Sequence, residues 1–407
     1  MLKSEWRKFF SKITNRVVLI ALLLITVIVS FLAVDSMGYT DTGERSAVGM
    51  DKVTAGRRLA EEKNQWKGKL TPEKIADAVK NYRELEQTYS GGDSNVESGK
   101  LEPPYLDILY FAAHIYQTES DVVRADLNCM AEEDIGHIYD TYADNLQQAA
   151  EEYGATPEQE KFLKEQYKKV EIPVTYEAYD SWKTMAAYAE MYILILVVVV
   201  GVLAAGIFDE EFKNHAERVF FTAKYGRSKA VRNKIAVGIL TTTIVYWVGT
   251  GLLSLISFGI LGGSGFDTPY QMEDPYSMYA VTQGQYYLLV VVSGYIASLL
   301  SASVTMLVTA KMHTEKVAVF LPVFLYWVPL FIGNRIHNIK AVYFMTSALV
   351  NMDNGIQYPF LLQIGNAVFR QVPFVMALYT VVFVILLPFL YRSFAGYDPA
   401  KCKMLEV

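Results

Sequence analysis

Few side chains in this sequence are typed and spaced for chemistry. Glu132, Glu133 and Asp134 precede His137, so a carboxylate and an imidazole four apart share one helix face, a spacing that can hold a metal. No second histidine lies nearby: His114, His215, His313 and His337 are isolated, so a solvated acidic face is the better reading and no metal is expected. There is no H-E-x-x-H, no paired-cysteine motif and no G-x-S-x-G elbow, which Gly262-Gly263-Ser264-Gly265 fails to match. A G-x-x-x-x-G-K-[ST] phosphate loop is also missing, so the chain is not read as an enzyme, and any ATP hydrolysis is expected in a partner.

The residues that share a task lie in the charged interval Asp209–Lys234, between two long apolar runs. Phe212, Ala216, Val219 and Ala223 recur at spacings of four, three and four, which predicts one face of an amphipathic helix. Gly226 falls where a helix end favours positive φ, and Ser228 is placed to cap the next helix. The expectation is helix, tight turn, helix.

The elements around this interval are apolar. With 52% hydrophobic residues, six runs match the roughly 17 to 25 residues that span a bilayer: Val17–Val34, Tyr188–Phe208, Ile235–Gly262, Tyr286–Ala310, Val317–Gly333 and Val372–Tyr391. The first is read as an uncleaved helix rather than a signal peptide, because no A-x-A site follows it. The expected class is an all-α membrane protein of six transmembrane helices, with an α-helical extracellular domain between spans 1 and 2.

Charge sets the orientation. Seventeen basic residues fall in 1–16, 209–234, 311–316 and 392–407, against Arg335, Lys340 and Arg370 in the two short loops opposite. The positive-inside rule then places both termini in the cytoplasm of a multi-pass protein of the bacterial cell membrane. Residues 35–187 lie outside, since large translocated domains escape the rule. Cys129 and Cys402 fall on opposite sides, so no bond within one chain is expected, and a buried or free Cys129 is favoured over a bridge across a dimer.

In chain order, residues 1–16 set Leu2, Trp6, Phe9, Phe10 and Ile13 against five cations, as a membrane-surface helix does, and make membrane lipid an expected partner. After the first span, 17–34, the domain 35–187 reads as four to six helices. Thr71-Pro72-Glu73 and Thr156-Pro157-Glu158-Gln159 open two of them, and Pro103-Pro104 opens another with Leu106, Leu109, Tyr110, Ala113 and Tyr116 on its apolar face. Spans 2 to 6 occupy 188–391, and Glu190 is their only ionisable residue, which disfavours an ion-coupled carrier. Gly294, Ser298 and Ala302 form a small-residue stripe in the fourth span, a candidate helix–helix interface that suits a dimer seam, a polar route or packing within one bundle. Residues 341–369, interrupted by Asp353-Asn354-Gly355 and Pro359, are too broken to cross and read as short re-entrant or extracellular helices. Residues 392–407 form a cytoplasmic tail.

Together these features resemble the membrane (permease) subunits of ABC transporters of the type-two exporter class. The resemblance rests on the N-terminal amphipathic helix, six spans, short re-entrant helices before the last span, and the loop between spans 2 and 3. It covers roughly 250 residues, everything but the outer domain. In that family this loop is the coupling helix, with an acidic start, a glycine or proline turn before an arginine, and a lysine opening the third span. The matching positions here are Glu210 or Glu211, Tyr225-Gly226-Arg227 and Lys234, with the helix at 209–226. Tyr225-Gly226 stands where the family often has proline, and the large insert after the first span belongs only to some subfamilies.

The resemblance implies a cytoplasmic ABC ATPase dimer that holds ATP and magnesium, and a second permease, identical or homologous. It implies no cofactor in this chain and no nucleic-acid partner. Phe212 and Phe220 join the coupling residues, and Phe220, Phe221 and Tyr225 are offered as anchors for the ATPase. Three readings stay open: an exporter of a peptide, antibiotic or lipid-like compound; a device relaying ATPase motion to the outer domain without transport; and an ATP-independent carrier.

Overall fold

The computed structural model describes residues 2–37, 52–90, 103–116, 132–333, 343–358 and 360–397. The readings at Cys129, Cys402, His337, Arg335 and Lys340 lie outside them, as do residues 341–342 and 359 of the 341–369 segment. Six helices are long and apolar enough to cross a membrane: Ile13–Asp35, Asp180–Phe208, Gly226–Leu261, Gln283–Met312, Glu315–Ile332 and Gln371–Ala395. The chain is a mostly helical, multi-pass membrane protein. Each helix contains most of its apolar run. The second continues well beyond it, because Trp182 and its neighbours keep helical contacts above the apolar core. The fifth span is broken between Glu315–Ala318 and Leu321–Gly333, with Pro322 at the restart and Pro329 inside.

The fourth span is the hub of the bundle and packs on the second, third, fifth and sixth. Apolar side chains gain nothing by leaving lipid for protein, so close approach and hydrogen bonds must hold these helices together. Both are visible. A Cβ on Gly294 would lie 2.6 Å from Ile193 Cδ1 and from the Tyr246 hydroxyl. Ser301 Oγ donates to the Val197 carbonyl at 2.6 Å, and the Tyr246 hydroxyl donates to the Val291 carbonyl at 2.5 Å. Tyr326 reaches the Ala297 carbonyl at 2.7 Å and so brings in the fifth span.

Between the first two spans, the described residues form six α-helices: Lys52–Lys63, Pro72–Ser90, Leu106–Tyr116, Glu132–Gly136, Ile138–Tyr153 and Pro157–Tyr167. Proline opens two of them, and Thr156 accepts from Gln159 N at 3.2 Å while the Gln159 side chain accepts from Ala155 N. The apolar face expected for Leu106–Tyr116 is redrawn. Ile108, Leu109, Phe111, Ala112, Ala113 and Ile115 are buried and Tyr110 is exposed, because this helix is covered on more than one side. A buried charge cluster ties the unit to the second span: Lys63 Nζ sits 3.0 Å from Asp107 and 2.6 Å from Asp180. Burial opposes this ammonium, but Asp107 and Asp180 outweigh it and hold its pKa above the ordinary lysine value.

Two short strand pairs interrupt the all-helical expectation: Gly68–Lys69 with Thr175–Tyr176, and Leu361–Ile364 with Ala367–Arg370. The second pair corrects the helices expected through 369. Gly365, at φ 61, opens a two-residue turn between Ile364 and Ala367, so the chain doubles back as a hairpin. Before it, helical turns remain at Thr346–Leu349 and Asp353–Gln357.

The inserted unit, the 263–282 loop and the 343–370 segment form one cap. Tyr142 donates to the Pro275 carbonyl at 2.5 Å, Tyr276 to the His114 carbonyl at 3.1 Å, Thr156 to Gln363 Oε1 at 2.7 Å, and Ser277 to the Ile356 carbonyl at 2.8 Å. From below, Glu190 Oε1 accepts from the backbone N–H groups of Met352 at 2.9 Å and Asp353 at 3.2 Å.

Asp274 lies within this cap. Burial pushes its carboxyl up to about 7, and Glu273 and Asp353 add to the rise against one hydrogen bond from Tyr276 N. A raised carboxyl binds its proton more tightly in the folded state, so its contribution is full below the unfolded value near 3.8 and is lost as pH rises through about 7. Wild-type protein in detergent should therefore lose more thermal stability between pH 5 and pH 8 than Asp274→Asn, whose neutral amide does not titrate. Parallel melting curves at both pH values would contradict this.

Candidate functional site: the loop between the second and third spans

The interval 209–234 folds, but not as one rod. It forms Glu210–Lys213, Glu217–Thr222 and a wide turn at Gly226–Ala230 that runs into Val231–Leu261. The break lies at His215, whose φ is 52. Helix geometry explains it. Phe212 and Phe221 are nine residues apart, and at about 100° per residue a continuous helix would turn them to opposite faces. The kink sends both inward onto Phe394, at ring distances of 6.1 and 5.1 Å, with Tyr397 about as near to each at 5.1 and 5.0 Å. His313, which ends the fourth span at φ 59, stacks 4.3 Å from Phe212, and burial lowers its pKa.

Gly226 is needed for a different reason from the one its position suggests. It is absent from the positive-φ glycines, but a Cβ there would lie 1.8 Å from the Phe220 carbonyl oxygen. Ser228 caps nothing, because the third span continues from the wide turn with Ala230 as its N-cap. Arg227 instead caps other ends: its Nη1 donates to the Ala395 and Tyr397 carbonyls at 2.7 and 2.6 Å, satisfying the end of the sixth span, and its Nε donates to the Phe221 carbonyl at 3.2 Å.

The centre of the site is Lys234, which is 0% exposed. Its ammonium lies 2.8 Å from Glu211 Oε1 and 3.5 Å from Glu5 Oε2, and it donates to the Ile207 carbonyl at 2.8 Å. The Phe208 and Phe220 rings flank it at 6.0 and 5.8 Å. One cation thus joins the N-terminal helix Leu2–Ser11, the end of the second span, the loop and the start of the third span. Carboxylate oxygens of Glu5, Glu210 and Glu211 lie within 4.8 Å of one another, a grouping able to hold a cation. Lys234 already supplies positive charge there, and Lys8 does so at 3.0 Å from Glu5.

The residues expected to couple therefore divide. Glu211, Gly226 and Lys234 are buried, Phe212 and Phe220 are half-buried, and Arg227 is committed to backbone carbonyls. Of the three aromatic anchors, Phe221 points inward, and only Tyr225 is exposed, at 50%, with Lys224 Nζ 5.5 Å from its ring centroid. Arg218, Lys224 and Val219 are exposed as well, Val219 at 75% and turned out where the single-helix reading had placed it on the apolar face. Glu210 is half-buried. Gly294, Ser298 and Ala302 are buried within this one chain, far along the fourth span from the loop. The exposed patch and the tie from Glu5 were not legible in sequence. The unpaired Lys234 at the mouth of an apolar run was the one signal that a carboxylate must come to meet it. In comparisons with known proteins, no family model, curated protein or solved structure matches this chain.

Lys234→Met should destabilise the loop by about 3–5 kcal/mol, because it leaves Glu211 buried without its cation. Lys234→Met/Glu211→Leu should recover most of that loss, a strong non-additivity. Hydrogen exchange of 210–222 reads both, and additive losses would contradict the pairing. Gly226→Ala should raise exchange in the same segment, since the Phe220 carbonyl must move; an unchanged rate would contradict the close approach.

Proposed function

We propose that this chain is the permease subunit of a type-two exporter-class ABC transporter, moving a peptide, antibiotic or lipid-like compound with energy from a separate ATPase. Its loop between the second and third spans is the handle, and a second permease completes the pathway. The ATPase dimer holds ATP and magnesium in the cytoplasm. The positive-inside bias supports that side for the loop and both termini, and the other side of the cell membrane for the cap.

The observation that carries this reading is the way the loop is built. Its buried half is fastened by Lys234, Arg227 and the Phe394 cluster to the second, third and sixth spans and to the N-terminal helix. Its outer half exposes Val219, Tyr225, Arg218 and Lys224, apolar, aromatic and basic side chains of the kinds that protein-docking patches combine.

A second reading has its own support. The cap is tied to the second span through Glu190 and Lys63, and Tyr142, Tyr167 and Tyr276 bind the inserted unit to the 263–282 loop within it. A mechanical or signalling subunit that relays ATPase motion to its cap without transport uses the same connections.

Coexpression with a candidate ABC ATPase tests the common claim. Wild type should copurify with that ATPase and stimulate its turnover in lipid. Val219→Glu/Tyr225→Glu should weaken capture at least tenfold, at ~1–2 kcal/mol per anchor, with an unchanged melting temperature because both side chains are exposed. Wild type without ATPase, or a variant that captures it normally, would overturn the reading. Substrate flux in vesicles then separates export from relay.

A further inference from the structure

The N-terminal helix has two faces with different duties. Toward the protein it turns Phe9, 5% exposed, and Glu5, which meets Lys234. Away from the protein it presents a groove of about 570 Å³ lined by Leu2, Lys3, Trp6, Arg7, Phe10 and Arg16. Helical spacing requires this division: Lys3, Trp6, Arg7 and Phe10 recur at three, one and three, while Glu5 and Phe9 are four apart on the opposite side. The groove floor is apolar, with Trp6 stacked on Phe10 at 5.9 Å, and its rim carries three cations. Glu5, the helix's own carboxylate, is on the other face, paired with Lys8 and Lys234.

We infer that this groove binds one anionic phospholipid, with an acyl chain against Leu2, Trp6 and Phe10 and the phosphate between Lys3, Arg7 and Arg16. Two observations commit the site to a lipid. The charge is complementary to a phosphate diester. The groove also opens beside the first turn of the membrane-crossing helix Ile13–Asp35, where Arg16 donates its Nε to the Phe10 carbonyl at 2.6 Å and Ile13 and Val17 are exposed to the bilayer. Occupancy has a consequence across the helix. A lipid that seats the outer face presses Glu5 onto Lys234 and steadies the 209–234 loop. This claim concerns the chain alone and does not depend on the ATPase.

The test uses full-length protein in nanodiscs of phosphatidylcholine with increasing phosphatidylglycerol, read by native mass spectrometry and by hydrogen exchange. Wild type should retain phosphatidylglycerol, and exchange in 2–11 and 210–222 should slow as its fraction rises. Lys3→Ser/Arg7→Ser should lower the apparent affinity about twenty-five-fold, from roughly fivefold per cation near a membrane surface, and should abolish the slowing. Lys3→Arg/Arg7→Lys should restore both, and Lys80→Ser/Lys168→Ser, exposed cations of the cap, should change neither. Unaltered retention in the Lys3/Arg7 variant, displacement by inorganic phosphate, or protection that appears only when the ATPase is added would each overturn the proposal.

Discussion

A fully buried ammonium at the membrane's edge sets the terms for the rest of this protein. Removing a charge from water costs several kcal/mol, and only close opposite charge with further hydrogen bonds offsets it. Lys234 meets that demand by drawing Glu211 from the loop, Glu5 from the N-terminal helix and a carbonyl from the second span to one point. The loop's shape follows. Once Glu211 is held there, Phe212 and Phe221 must share the Phe394 cluster, and the backbone bends at His215 to let them.

The other end of the molecule solves the same problem with different parts. Lys63 is buried between Asp107 and Asp180, and Glu190 is satisfied by backbone N–H groups of the 343–358 segment rather than by a cation. Both tie the cap to the second span, the helix that also carries Ile207 to Lys234. Between the two charged ends the bundle relies on glycine, serine and tyrosine contacts in the fourth span, which stiffen it without ionisable groups. One continuous helix, the second span, thus joins the loop to the cap.

Most of the scaffold was legible in the sequence, because apolar run length and helix caps are local signals. The six spans, the starts at Pro72 and Pro157 and the Thr156 cap follow from residues within one helical turn of each other. Features set by distant partners were not legible. The periodicity of Phe212, Ala216, Val219 and Ala223 was real, yet the aromatic cluster at Phe394 and Tyr397 overrode it and turned Val219 outward. Gly226 was read as a helix end favouring positive φ, whereas its constraint is the close approach of a carbonyl six residues back. The hairpin at 361–370 was hidden because a two-residue turn is a weak signal inside a segment already broken by proline and glycine.

The central claim is that the outward face of 209–234 is where a separate ATPase takes hold. A photo-crosslinking residue at Val219 or Tyr225, compared with one at exposed Lys168 in the cap, tests it most directly in membranes containing a coexpressed candidate ABC ATPase. The account predicts an ATPase adduct from positions 219 and 225 and none from 168. No adduct from the loop, or equal adducts from loop and cap, would contradict it.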